Sequence, residues 1–208
     1  MNIQELINKS QIIFAIDRET GKVIFSIESI PADLKRLIDS LGKMNFKITQ
    51  IEAEGWNMIS NKYIFRPLHI AGIASSKYAL LQDDTTTVII KTPERLKTFF
   101  NNVRNRPLED LVLGKFIEVA GVISVCGEEY DIKGDLNEEE IKLLNSIIHA
   151  NDSIAGLTGE MLSLISGMIW YPLKGWFMSG KEHAIVSIFG KWVIINSKIF
   201  EEILIEGD

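Results

Sequence analysis

Apolar and polar positions along the chain fall into two periods. Short runs at Ile12 to Asp17, Lys22 to Ile27, Tyr63 to Ala74, Tyr78 to Gln82 and Thr86 to Lys91 read as strands, the first two joined through Glu19-Thr20-Gly21. Between the second and third runs the period lengthens. Leu34, Leu41 and Ile48 form one heptad series, and Leu37, Met44, Ile51 and Met58 form another. That spacing predicts a helix over about 31–58, started by Ser29 and Pro31, with one apolar seam to lie on a sheet or against a like helix. Short helices are expected at Asn2 to Asn8 and from Pro93 to about Asn102.

The same order then recurs. Pro107 to Glu118 reads as helix, Gly121 to Cys126 and Glu129 to Lys133 as strands, and Asn137 caps a long helix over about 137–165. Its first turn, Glu138-Glu139-Glu140, suits the positive end of the helix dipole. It carries Ile141, Leu144 and Ile148 on one side and Leu143, Ile147, Ile154 and Met161 on another. Two apolar stripes predict burial from two directions, by a sheet beneath and a second surface above. Strands at Met168 to Met178, Ala184 to Phe189 and Trp192 to Asn196 follow, then a helix from Lys198.

The recurrence extends to residue identity. Ile64 to Thr92 slides onto Ile169 to Ser197 by 105 positions without a gap, matching Ile64/Ile169, Pro67/Pro172, Leu68/Leu173, Ala79/Ala184 and Val88-Ile89-Ile90/Val193-Ile194-Ile195. One repeat of this length means two copies of a small domain. The expectation is an α+β chain with domains at 1–105 and 106–208. Each is a mainly antiparallel five-stranded sheet flanked by helices, and the pair packs as an intramolecular pseudo-dimer about an approximate twofold axis.

This order resembles the roadblock/dynein light-chain fold. The second copy is similar to one uncharacterised prokaryotic roadblock-like family through Ala150-Asn151 and then Ser166-Gly167-Met168-Ile169-Trp170-Tyr171-Pro172-Leu173-Lys174-Gly175-Trp176. The first copy keeps the proline but has Phe65, Ile70 and Ala71 where the second has Trp170, Gly175 and Trp176. The resemblance implies a dimerising platform, of the kind that serves small GTPases or motor components. For the closer family it also implies proximity to heterodisulfide-reductase-like complexes of sulfur oxidation.

Composition narrows the reading. With 46% hydrophobic and 24% charged residues the chain is an ordinary globular one. Residues 1–105 hold 14 Lys and Arg against 11 Asp and Glu; residues 106–208 hold 8 against 17, so the copies carry +3 and −9. An acidic chain without a basic, aromatic-studded stripe argues against nucleic acid as a partner. The greasiest stretch, Met161 to Met178, is interrupted by Gly167, Pro172, Lys174 and Gly175 and makes a poor membrane span. The amino terminus lacks the profile of a signal peptide and Cys126 is the one cysteine, so a cytoplasmic location is expected.

No catalytic motif is present: no G-x-S-x-G, H-E-x-x-H, C-x-x-C or phosphate loop. The expectation is a non-enzymatic interaction or scaffold module with no cofactor and no metal. Its partner would be a protein, and the resemblance supplies a sulfur-oxidation complex subunit or a small GTPase as classes; a homo-oligomer stays open. The alternative is a small-molecule or sulfur-carrier protein using Cys126 or a sheet–helix pocket. Against the carrier role, GVISVC reads as a core strand without an adjacent cation to lower the thiol pKa. His149, beside Asn151, is a candidate proton carrier with a bland surface reading as its rival.

The binding residues expected are Asn151, Trp170, Pro172, Lys174 and Trp176. If Met168 to Trp176 is one strand, Trp170, Pro172, Lys174 and Trp176 share a face. An outward face would be an apolar patch for a partner; an inward one would be packing.

Overall fold

A computed structural model describes residues 3, 12–26, 30–60, 62–112, 116–123 and 130–205. The order is β1 (Ile12–Asp17), β2 (Val23–Ser26), α1 (Ala32–Ile59), β3 (Leu68–Ser75), β4 (Tyr78–Gln82), β5 (Thr86–Lys91) and α2 (Glu94–Asn105). It continues with α3 (Leu108–Val112), β6 (Ile117–Ile123), β7 (Tyr130–Lys133), α4 (Glu138–Ser166), β8 (Leu173–Gly180), β9 (His183–Ser187), β10 (Lys191–Asn196) and α5 (Ser197–Leu204). All ten strands join one antiparallel sheet in the order β2-β1-β5-β4-β3-β8-β9-β10-β6-β7. The class is mixed α+β. Read outward from its centre, the strand order is the same in both directions once each half is numbered from its own start.

The centre of the sheet is the β3–β8 pairing. There Ala71 faces Met178, Gly72 faces Phe177, and Ile73 faces Trp176. On one face of the sheet lie α1 and α4, over a core that includes Ile73, Trp176, Trp192 and Ile194 together with Trp56, Phe46 and Leu144 from the helices. On the other face α2, α3 and α5 cover Ile70, Phe177, Val186 and Val193 with Leu96, Phe100, Leu111 and Phe200. Alternate strand residues therefore enter opposite cores, which explains why β3–β5 and β8–β10 are apolar on both faces.

α1 and α4 run antiparallel. Thr49 and Glu52 of α1 meet Asn151 of α4 near their middles, and Lys62, just after α1, pairs with Asp135, just before α4. Asn137 starts α4 with a full capping box: its Oδ1 accepts from the Glu140 N–H, and Glu140 Oε2 accepts from the Asn137 N–H, both at 2.9 Å. Gly167, at φ +65°, ends the helix in the left-handed conformation that glycine tolerates.

Several sequence boundaries shift. β3 and β8 begin at Leu68 and Leu173, not at Tyr63 and Met168. Each is preceded by a proline, Pro67 or Pro172, both after cis peptide bonds, and a proline has no N–H to give the ladder. The helix expected to end near Asn102 runs on through Asn105, because Val103 is buried with Leu96 and Phe100. The helix expected over Pro107 to Glu118 shortens to α3, since β6 starts at Ile117. The helix at Asn2 to Asn8 lies outside the described residues, Ile3 apart, and Cys126 with its neighbours lies outside them altogether.

Candidate functional site

Trp170, Pro172, Lys174 and Trp176 do not form an outward row. Trp170 and Trp176 are 0% and 3% exposed and belong to the core beneath the long helices. The reason is local: residues 168–172 are irregular, so strand alternation never spans Trp170 to Trp176. Trp170 rests beside Tyr78, ring centres 6.0 Å apart, and its backbone N–H donates to Ser163 Oγ at 3.1 Å. Pro172 is exposed and Lys174 is half-buried on β8. The reading that places both tryptophans on an exposed patch is corrected to packing.

Asn151 is buried at the α1–α4 crossing. Its Nδ2 donates to Ile147 O at 3.2 Å and to Glu52 Oε2, while its Oδ1 accepts from Thr49 Oγ1 at 3.2 Å. Burial pushes the Glu52 carboxyl up to about 7, against the opposing hydrogen bond from Asn151. The neighbouring Asp152 ties α4 to the sheet. Its Oδ1 accepts from Trp176 Nε1 at 2.5 Å and Ser187 Oγ at 2.7 Å, and its Oδ2 from the Gly190 N–H at 3.0 Å. Burial raises its pKa above the ordinary carboxylate value, although the Ser187, Trp176 and Gly190 hydrogen bonds pull the other way. Sequence reasoning missed Asp152, whose only signal is its place next to Ala150-Asn151.

The histidines serve separate local roles. His149 is exposed. His183 is buried, accepts the Ile64 N–H at Nδ1 (3.0 Å), and so carries its proton at Nε2, 3.2 Å from Glu118 Oε2.

The outward side of the helix layer carries several large apolar side chains among its polar ones. Leu37, Met44, Ile51 and Met58, every seventh residue of α1, are exposed, reaching 87% at Met58. α4 contributes Leu157, Met161 and Leu164, the last 85% exposed, and Ile169 and Tyr171 follow it. The heptad series Leu37 to Met58, expected to be buried, therefore faces away from the sheet. The sheet claims Ile38, Leu41, Phe46, Ala53 and Trp56 instead. Of the stripes on α4, Ile147 is buried and Leu143 packs against the core, whereas Met161 joins the exposed set. Two adjacent antiparallel helices thus present large apolar side chains on one surface.

Residues 112–204, from the last residue of α3 to the last of α5, match the model of a family described as an uncharacterized conserved protein (DUF2173). No curated protein and no solved structure matches the chain. Among the described residues no helix is long and apolar enough to cross a membrane.

Proposed function

We propose that the chain is a fused pair of roadblock-like domains, 1–105 and 106–208, forming an intramolecular pseudo-dimer that works as a non-enzymatic protein-interaction module. Its docking surface is the outer face of α1 and α4. The observation carrying this reading is the exposed series Leu37, Met44, Ile51 and Met58 on α1, together with exposed Leu157, Met161 and Leu164 on the adjacent α4. Large apolar side chains grouped on one layer cost solubility and contribute nothing to the core. A protein partner would bury them, and central apolar anchors supply most of the energy of such contacts. In support of the pseudo-dimer stand the recurring element order, the sheet order and the 105-residue offset.

The resemblance adds two partner classes, a subunit of a heterodisulfide-reductase-like sulfur-oxidation complex or a small GTPase. A single cysteine suits the reducing cytoplasm in which either would be met. Chemical cross-linking of the chain with each class, followed by mass spectrometry, tests the reading. Cross-links from Lys43 and Lys47 of α1 to the partner support it, and cross-links confined to the opposite face of the sheet contradict it.

A further inference from the structure

Where β8 ends, a cavity of about 430 Å³ opens between the sheet and α5. His69 of β3, Lys181 and the α5 residues Ser197, Lys198, Glu201 and Glu202 line it. It lies on the face of the sheet opposite α1 and α4, so it is independent of the docking surface. Its volume lies within the range typical of small-molecule sites, about 300–1,000 Å³.

The wall of this cavity contains a group that the fold does not require. Glu201 is 5% exposed. Its Oε1 accepts a hydrogen bond from Ser179 Oγ at 3.2 Å and faces His69 Nδ1 at 3.6 Å, an ion pair when that imidazole is protonated. Both contacts fall on Oε1, and one hydroxyl with an imidazole at that range is slender compensation for burying a carboxylate. The other half of the same sheet shows the apolar solution. There α2 buries only Leu96, Phe100 and Val103, and the position 105 residues before Ser179 is the buried Ala74. A hydroxyl and a carboxylate thus replace apolar packing in one half only, and they do so where a cavity meets them.

The rim carries more positive than negative charge, two lysines against the exposed Glu202. Lys181 and Lys198 are both exposed at the mouth, and His69 is half-buried beside them. An ammonium is complementary to a lone buried carboxylate, to which it donates a charge-assisted hydrogen bond. We propose that the cavity binds a small zwitterion of amino-acid size, with its ammonium donating to Glu201 and its carboxylate facing Lys181 and Lys198. Ser179 is a positioning residue that holds the Glu201 carboxylate by its Oε1 and leaves Oε2 for the ligand.

The test is calorimetric titration of the full chain with each of the common amino acids, and with ethylamine and propionate as single-charge probes. Saturable binding of at least one amino acid is expected, at least tenfold tighter than either probe. Glu201→Gln should weaken it at least tenfold while leaving the melting temperature of the unliganded protein unchanged or higher, because a buried charge is removed. The Lys181→Gln, Lys198→Gln double variant should weaken the amino acid but not ethylamine. The proposal is overturned if no amino acid binds, if ethylamine or propionate binds as tightly, or if Glu201→Gln binds as the parent does.

Discussion

Gly72 lies directly across the β3–β8 pairing from Phe177, and the two are the same position of the repeat, 105 residues apart. The centre of the sheet therefore joins the smallest residue to one of the largest. A Cβ on Gly72 would lie 2.6 Å from Phe177 Cζ and 2.5 Å from the Leu80 carbonyl oxygen. Two copies of the first half would place glycine against glycine and leave a void; two copies of the second would force two phenylalanines together. Fusion into one chain permits this complementary pair. We expect Phe177→Ala to cost about 3–5 kcal/mol by opening a cavity. Gly72→Ala should also destabilise, and less so in the Phe177→Ala background. A double-mutant cycle by urea unfolding reads the coupling, and strictly additive costs would show that the two residues do not share the space.

Trp176 and Asp152 form the other fixed point. Trp176→Phe keeps most of the ring but leaves Asp152 short of a donor in a half-buried site, and we expect a loss of about 1–3 kcal/mol. Trp176→Ala should lose about 3–5 kcal/mol, as for a buried tryptophan. A melting temperature unchanged by Trp176→Ala would contradict the packing assigned here.

Glu52 makes stability depend on pH. Its folded-state pKa of about 7 lies above the ordinary value of 4.5, so the folded protein holds a proton that the unfolded chain has released. Its contribution is therefore most favourable below the unfolded value and falls as pH rises from about 4.5 to about 7. Comparing urea midpoints of the parent and Glu52→Gln at pH 5 and pH 7.5 isolates this effect. The variant should gain on the parent as pH rises, and a difference independent of pH would place Glu52 in water.

The exposed stripe predicts the opposite of a core response. Ile51→Glu and Met58→Glu should each change stability by no more than about 0.5 kcal/mol. Phe46→Ala, in the same helix but facing the sheet, should cost about 3–5 kcal/mol. Similar losses at all three positions would mean that the helix is rotated from the orientation described.

The sequence carried the α+β class and most elements well because strand alternation and helix length are local signals. β1, β4 and β5 fall on the runs read from the pattern, and α1 and α4 begin within a residue of their predicted starts. The site was less legible. Heptad spacing marks Leu37, Met44, Ile51 and Met58 as one stripe, but period alone does not say which of two stripes meets the sheet; Phe46 and Trp56, larger and on the other side, decide it. Trp170 looked collinear with Trp176 because Pro172 hides the break between them. Glu201 gives no warning at all, since one glutamate in a short amphipathic helix normally faces water.

The most direct test of docking on the helix layer is affinity purification from the native host with the parent chain and with Ile51→Glu, Leu157→Glu. Both should elute as the same folded species, with the same circular dichroism and melting temperature. Light scattering should give the parent a mass near one chain of 23.5 kDa; a dimer that the double variant abolishes would mean that a second copy covers the stripe. The account predicts a protein retained by the parent in near-stoichiometric amount and lost from the double variant. Retention of the same partner by the folded double variant would contradict it.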